Sequence, residues 1–410
     1  MTQFDLRRYL AQNANWLGAG ILLTFLSSFG QTFFISVFAG EIRSEFGLSH
    51  GAWGGLYSLG TTLSAFVMIW AGGLTDLFRV RALGPAVLIG LALAALAMAL
   101  NAWVILLPAV IFLLRLFGQG MSTHLAAVAM ARWFTATRGK ALSIATLGYA
   151  IGEALLPVIF VAAMALLDWR WLWGLAVCVT LLGIPVLIRL LRQERTPQSL
   201  STEASSTGMQ DRHWTRREAL LNPLFWYMIP AILAPSAFVT TFFFHQVHLA
   251  EVKGWPHIQL VALFPVFTGV SILSMFAAGW ALDKWGTARM MPYYQLPMAA
   301  GFAVLSVSTS IIGALVGMVF LALTAGAHNP LPSAFWAEFY GTRHIGAIKA
   351  MAAAVMVLGS AIGPGLSGAL IDLGVSLDRQ FLWIAAFFVW VCVMVQIGIT
   401  RAQRAASGSA

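Results

Sequence analysis

Two ionisable residues sit deep inside long apolar runs. Arg115 lies 11 residues from Val104, where its run begins, and Glu153 lies 12 residues from Ala141, where the next begins. At 1.5 Å per residue along a helix, those offsets are roughly 16 and 18 Å. If consecutive helices cross about 30 Å of hydrocarbon in opposite directions, the two side chains reach nearly the same depth. Charges at such depth are rare and usually functional. A lone carboxyl in low dielectric favours its protonated form, and a neighbouring guanidinium opposes that. An arriving carboxylate competes for the guanidinium, whose fork suits bidentate pairing. Glu153 then takes up a proton, and anion and proton cross as a neutral pair. Two other readings stay open: a buried ion pair that only locks two helices, and side chains that never meet.

Weaker polar groups accompany this pair. Ser27, Ser28, Gln31 and Thr32 lie in the first apolar run, and Gln119 and Ser122 follow Arg115 by one and two turns on one face. Tyr149 precedes Glu153 by one turn. Later runs hold Tyr227, Ser236, Thr240 and Thr241, then Thr324, His328 and Asn329 before Pro330. His328 can hold a carboxylate or titrate, its reference pKa being near 6.5. It can equally be a neutral ring bonded to a carbonyl. His245 and His248 are expected to face water, and His124, nine residues from Arg115, to pack. Gly148, Gly152 and Pro157 predict close packing and a bend beside Glu153.

The elements that must position these residues follow from composition. The chain of 410 residues is 60% hydrophobic and 10% charged, whereas soluble domains carry roughly 25% charged residues. Twelve apolar spans are predicted, near 16–38, 53–73, 82–100, 104–130, 141–166, 171–191, 224–244, 258–281, 291–311, 314–336, 347–371 and 381–399. They are too long and too uniformly apolar for barrel strands. The predicted fold is an all-α integral membrane protein with twelve transmembrane helices in two pseudo-symmetric six-helix bundles. Net charge is +9, but the basic residues crowd short loops, so the partners expected are lipid bilayer and small solutes, with no nucleic acid. With both termini cytoplasmic, inner segments hold 19 of the 24 Lys and Arg, which sets the orientation. Cys178 and Cys392 lie within apolar runs, and neither a disulfide nor a metal or other cofactor is predicted. No cleaved signal is expected at the N-terminus.

Residues 192–219 are too polar to bury and are predicted to be a cytoplasmic linker, with Trp214–Leu220 amphipathic along the inner face. The N-terminal bundle is thus 1–191, the C-terminal bundle 220–401, and 402–410 a disordered tail. The halves echo each other. Gly72-Gly73-Leu74-Thr75-Asp76 returns 207 residues later as Gly279-Trp280-Ala281-Leu282-Asp283. Arg132-Trp133-Phe134 with Arg138 is echoed by Glu338-Phe339-Tyr340 with Arg343. Span n corresponds to span n+6, a parallel repeat of the kind that builds secondary transporters.

These motifs resemble the major facilitator superfamily over essentially the whole chain. Gly72, Leu74, Asp76 and Arg81 match its loop motif between spans two and three, with Leu77 and Arg79 replacing a basic residue and a glycine. Gly279, Asp283, Lys284 and Gly286 match the second copy. The resemblance implies that Gly72, Asp76, Arg81, Gly279, Asp283, Lys284, Arg138 and Arg343 support gating. Asp76 and Asp283 would cap a helix or pair with basic groups, and Gly72 and Gly279 would let helices pack closely. It also implies that spans one, four, seven and ten line the cavity, so Arg115, Gln31, Gln119, His328, Asn329 and Thr240 become substrate-binding candidates, joined by Tyr149 of span five, one turn before Glu153. Arg115-Leu116-Phe117-Gly118-Gln119-Gly120 is similar to a span-four signature tied to proton coupling, which would involve Glu153 and His328. Ala131–Phe134, Asn222–Trp226 and Ala361–Pro364 look like the monocarboxylate-porter and oxalate/formate-antiporter branch. Span eight here lacks the acidic–basic pair of the animal monocarboxylate porters.

The function expected is a monomeric secondary active transporter of a small organic anion, a carboxylate, proton-coupled or anion-exchanging, in a bacterial inner membrane. The alternative is proton-driven efflux of drug-like or hydrophobic compounds, against which span five lacks the efflux branch's Gly-Pro signature. No nucleophile–base or metal cluster at membrane depth suggests an enzyme, and no appended signalling domain suggests a receptor.

Overall fold

The computed structural model describes residues 6–134, 137–193 and 207–407, in which every regular element is helical. Ten helices among these residues are long and apolar enough to cross a membrane. The bent pair Arg7–Gly30 and Thr32–Phe46 makes an eleventh if taken as one span, and Leu296–Val307 is a shorter apolar helix. Each predicted span therefore has its apolar segment. Helix is the only open-ended structure that pairs its own backbone groups in lipid. Side chains left bare, such as Trp70, Leu100, Leu166 and Trp171, are large and apolar, as a lipid-facing surface requires.

Local chemistry sets the helix starts. Asp168, Asn222 and Ser310 accept backbone N–H bonds from Arg170, Leu224 and Gly313 at the starts of spans six, seven and ten. Gly47 and Gly254 end helices in the left-handed conformation, at φ 61° and 67°.

The chain divides into two compact units, one of Met1–Leu48 and Leu59–Thr202, the other of Ser49–Ser58 and Glu203–Ala410. Inside the first, span one packs on span five and span three on span six. Inside the second, span seven packs on span eleven and span nine on span twelve. The same pairing, shifted by six spans, is the repeat read from the loop motifs.

Four expectations change. Span one is not continuous: the α-helix ends at Leu26, a tight turn runs Ser27–Gly30, Gln31 is extended (φ −88°, ψ 154°), and helix resumes at Thr32. Span nine is shorter than 291–311, because Met291–Gln295 forms turns and helix begins only at Leu296, ahead of Pro297. The last helix continues to Ser407, so residues 402–407 are helical rather than disordered. Residues 207–219 are tied to the second unit. Buried Trp214 donates its backbone N–H to the Tyr340 carbonyl (3.0 Å), and its ring stands edge-on to the Tyr340 ring. A Thr215–Glu218 capping box then starts the helix Arg216–Leu221. The rest of the predicted linker, 194–206, and the tail 408–410 lie outside the described residues.

Candidate functional site: two buried polar centres

The first unit places its polar centre at the break in span one. Span four is wound with i→i+5 hydrogen bonds through Arg115–Ser122, a widened turn that recurs at functional sites. Gly30 and Gly118 make the crossing possible. A Cβ on Gly30 would lie 2.1 Å from the Leu114 carbonyl oxygen, and one on Gly118 would lie 2.6 Å from Gly30 Cα. The two backbones touch, and Arg115, only 1% exposed, reaches across. Its Nη1 donates to the Gly30 carbonyl (3.3 Å) and to Thr32 Oγ1 (3.2 Å). The break supplies both acceptors: a carbonyl released from the helical ladder and a hydroxyl where helix restarts.

Span five, which carries Glu153, packs against the same segment. A Cβ on Gly148 would lie 2.0 Å from the Ile21 carbonyl oxygen, and one on Gly152 would lie 2.0 Å from Ser28 Oγ. These glycines bring span five onto span one, as their spacing predicts. Glu153 is 8% exposed and accepts from the Tyr149 hydroxyl (3.2 Å). The Tyr149 ring in turn stands edge-on to Phe33, centroids 5.5 Å apart. Thr32 thus touches Arg115 while its neighbour Phe33 touches the tyrosine that holds Glu153. Gln31, also buried, is the extended residue of the break.

The widened turn overturns one register. Ser122 does not line up under Arg115 as a 3.6-residue repeat requires; its hydroxyl donates to the Phe117 carbonyl five residues back (2.8 Å). Gln119 is half-buried within that turn, and its carbonyl accepts from the Thr123 hydroxyl.

The second unit holds a centre without formal charge. Pro235 has no N–H to offer the carbonyl four residues earlier, so Ala231 O is left open in span seven. Gln295 Nε2 donates to it (2.5 Å) and to the Tyr294 hydroxyl (2.7 Å). The Tyr294 hydroxyl lies 3.3 Å from Ala231 O and 3.0 Å from His328 Nδ1, and the two rings stack. Thr324 ties the assembly down, donating to the Tyr294 carbonyl and accepting from the Met298 N–H. Gln295 Oε1 and His328 Nε2 are shielded from solvent with no hydrogen-bond partner among the described residues. His328 is thus bonded to a phenol rather than to a neighbouring carbonyl. Asn329 is exposed and Thr240 half-buried, and neither joins this cluster. His245, expected in water, is buried with Nε2 3.2 Å from the Pro364 carbonyl.

Of the gating candidates, Arg138, Asp283, Lys284 and Arg343 are exposed. Lys284 sits over Trp280 and Trp285. The Asp76 side chain lies outside the described residues. Beside it, Arg132 donates to the Thr75 carbonyl (2.6 Å) and Arg81 to the Arg192 carbonyl (3.3 Å). Gly72 is tight against Met68 and His124, but a Cβ on Gly279 would meet nothing within 4 Å. Close packing is therefore found at the first glycine and not at the second.

Tyr294, Gln295, Glu338 and Asp372 are additions to the sequence-derived set. Glu338 accepts from the Thr287 hydroxyl (2.6 Å) and N–H (3.3 Å). Asp372 accepts from Ser49 Oγ (2.6 Å) and from the N–H groups of Gly51 (2.8 Å) and His50 (3.1 Å), capping span two. Pro235 and Pro297 were the available signals for Gln295, one opening a carbonyl and the other marking a helix start. Among the described residues no group of three His, Cys, Asp or Glu could hold a metal ion.

The sequence matches the family model of the Major Facilitator Superfamily over residues 20–348. Comparison with curated protein sequences gives no match. The fold is similar to that of the nucleoside transporter NupG, at 12% identity over 94% of this chain and 99% of that one, with a TM-score of 0.71. It is also similar to a bacterial homologue of the human lysosomal transporter Spinster in an inward-facing, occupied conformation. There the identity is 18% over 98% and 97% of the chains, with a TM-score of 0.69. At these identities the likeness is one of fold.

Proposed function

The chain belongs to the major facilitator superfamily and is a multi-pass membrane transporter, and from that premise we propose that it carries a small organic anion, a carboxylate, together with a proton or in exchange for another anion, by alternating access. What supports this reading is that Arg115 bonds the Gly30 carbonyl and the Thr32 hydroxyl at the break in span one, while Tyr149, which donates to Glu153, stands against Phe33 of the same segment. A guanidinium binds a carboxylate more strongly than it binds neutral acceptors such as a carbonyl or a hydroxyl. A carboxyl group held only 3.2 Å from a phenol keeps a donor whichever protonation state it takes.

In this reading Arg115 receives the anion, Tyr149 orients Glu153, and Glu153 carries the proton. Gln31 and Gln119 border the same segment. Within the second unit, His328, Thr240 and Asn329 are the candidates for polar contact. The two loop motifs act as gates, Asp76 with Arg81 and Arg138 in the first copy, Asp283 with Lys284 and Arg343 in the second. The excess of Lys and Arg in alternate loops supports cytoplasmic termini in a bacterial inner membrane, and the protein works as a monomer. The carboxylate class rests on the Arg115–Glu153 chemistry together with the resemblance to the monocarboxylate and oxalate/formate branch.

The test is uptake into proteoliposomes with an imposed proton gradient, screened over small carboxylates. Wild-type protein accumulates at least one of them and acidifies the lumen as it does so. Glu153→Gln retains anion binding by thermal shift but loses gradient-driven accumulation. Undiminished proton-driven uptake by that variant overturns the proposal. Gradient-driven movement of tetraphenylphosphonium with no response to carboxylates replaces it with lipophilic-cation efflux.

A further inference from the structure

A cavity of about 490 Å³ opens in the first unit where span two hands over to span three, lined by Arg79, Arg81, Ala82 and Arg192. Three of these four residues carry a guanidinium, which stays charged at any physiological pH. No carboxylate lines the cavity among the described residues. The volume lies in the range of small-molecule sites, and all four lining residues are exposed, so the guanidinium groups rim an open depression.

The backbone adds to the field. Arg79 is the extended residue (φ −70°, ψ 148°) that precedes the 21-residue helix Val80–Leu100, and no side chain caps that helix. Its first N–H groups and the positive end of its dipole lie at the wall formed by Arg81 and Ala82. Arg81 is steered there by its bond to the Arg192 carbonyl. That bond also fixes the end of span six against the start of span three, so the cavity has a defined wall on each side. Immediately before Arg79 come Leu77 and Phe78, which are 76% and 53% exposed. A guanidinium cluster flanked by bare apolar side chains is the profile of a membrane-interface site, with a charged head beside the arginines and chains beside the hydrocarbon.

We propose that this cavity binds the phosphate of an anionic phospholipid headgroup. A phosphate diester takes bidentate bonds from arginine forks and favours a helix N-terminus. Its acyl chains cover Leu77 and Phe78. The loop that carries the site is the one proposed above as a gate, so an occupied cavity braces span three against span six. The same phosphate chemistry is available from a free phosphate, which would leave Leu77 and Phe78 bare.

The experiment uses the full-length transporter, purified in mild detergent and exchanged into nanodiscs of phosphatidylcholine with or without phosphatidylglycerol. Lipid retention is read by native mass spectrometry and stability by thermal shift. Wild-type protein is expected to retain phosphatidylglycerol over phosphatidylcholine, and Arg79→Gln with Arg192→Gln to lose that preference about tenfold or more. Arg79→Lys with Arg192→Lys keeps the charge without the fork and retains an intermediate preference, which separates site loss from misfolding. Millimolar inorganic phosphate in a parallel arm distinguishes the sources. If it stabilises the wild type through the same arginines while phosphatidylglycerol does not, the lipid assignment is overturned in favour of a free phosphate. If the Gln pair binds phosphatidylglycerol as the wild type does, the site itself is overturned.

Discussion

The first unit buries charge, and the second buries hydrogen-bonding groups that carry none. Arg115, on span four, bonds at a helix break, and Glu153, on the adjacent span five, accepts from a tyrosine packed against the same segment. Tyr294, Gln295 and His328 gather instead around one carbonyl that a proline leaves open. The difference teaches how a duplicated fold separates tasks. Under the proposed function, the charged residues answer to protons and anions, and so to both cargo and gradient. A neutral cluster with a spare acceptor and a spare ring nitrogen can recognise shape and hydrogen bonding without demanding a counter-ion. Both centres depend on an interrupted helix, because only an interruption releases backbone groups in a membrane.

The comparison breaks most visibly at the glycines. Gly30→Ala forces a methyl group against the Leu114 carbonyl, and overpacking of this kind costs about 1–3 kcal/mol. Gly279→Ala meets open space and is expected to change stability by less than about 0.5 kcal/mol. Thermal unfolding in detergent, monitored for both variants, checks the contrast, and equal effects would remove the case for a backbone-tight first centre. Next in size is Arg115→Met. It strands the Gly30 carbonyl and removes two hydrogen bonds, at a cost of about 1–3 kcal/mol, and abolishes anion-dependent stabilisation. His328→Leu is expected to leave that anion response in place while altering which uncharged analogues bind.

A smaller effect sharpens the account of the second centre. Gln295→Met leaves Ala231 O short of its best donor and lowers stability by about 1 kcal/mol. Pro235→Ala returns an N–H to that carbonyl. The double variant should therefore recover part of the loss, a coupling read from a four-member unfolding cycle. Simple additivity would show that the proline does not create the site. Smallest is the capping box outside the membrane. The Thr215 backbone N–H, followed by its hydroxyl, holds the Glu218 carboxyl below the usual carboxylate range. Its contribution is present at neutral pH and fades as acid protonates Glu218 through that lowered value. Glu218→Gln should flatten only the acid limb of the stability profile.

The spans were legible because hydrocarbon imposes length and composition on any helix that crosses it. Arg115 and Glu153 were legible for the complementary reason, since a charge inside such a run stands out. The meeting of Gly30 with Gly118 was not, because it joins residues far apart in sequence through an absence of side chain. The pairing of Gln295 with Ala231 was equally hidden. Tyr294 and Gln295 stood within a predicted continuous helix, and the free carbonyl announced itself only through a proline four positions on. The repeat motifs included Glu338 but gave no sign that its carboxylate holds Thr287 at the start of the segment after span eight.

Bare backbone against bare backbone leaves no shim between span one and span four. Two cylinders separated by leucines can slide as rotamers adjust, whereas peptide planes in contact transmit displacement at once. Whatever tilts the upper part of span one must drag the acceptors of Arg115 with it. The bonding set of Arg115 is then dismantled by the travel of the scaffold itself, without any side chain having to let go first.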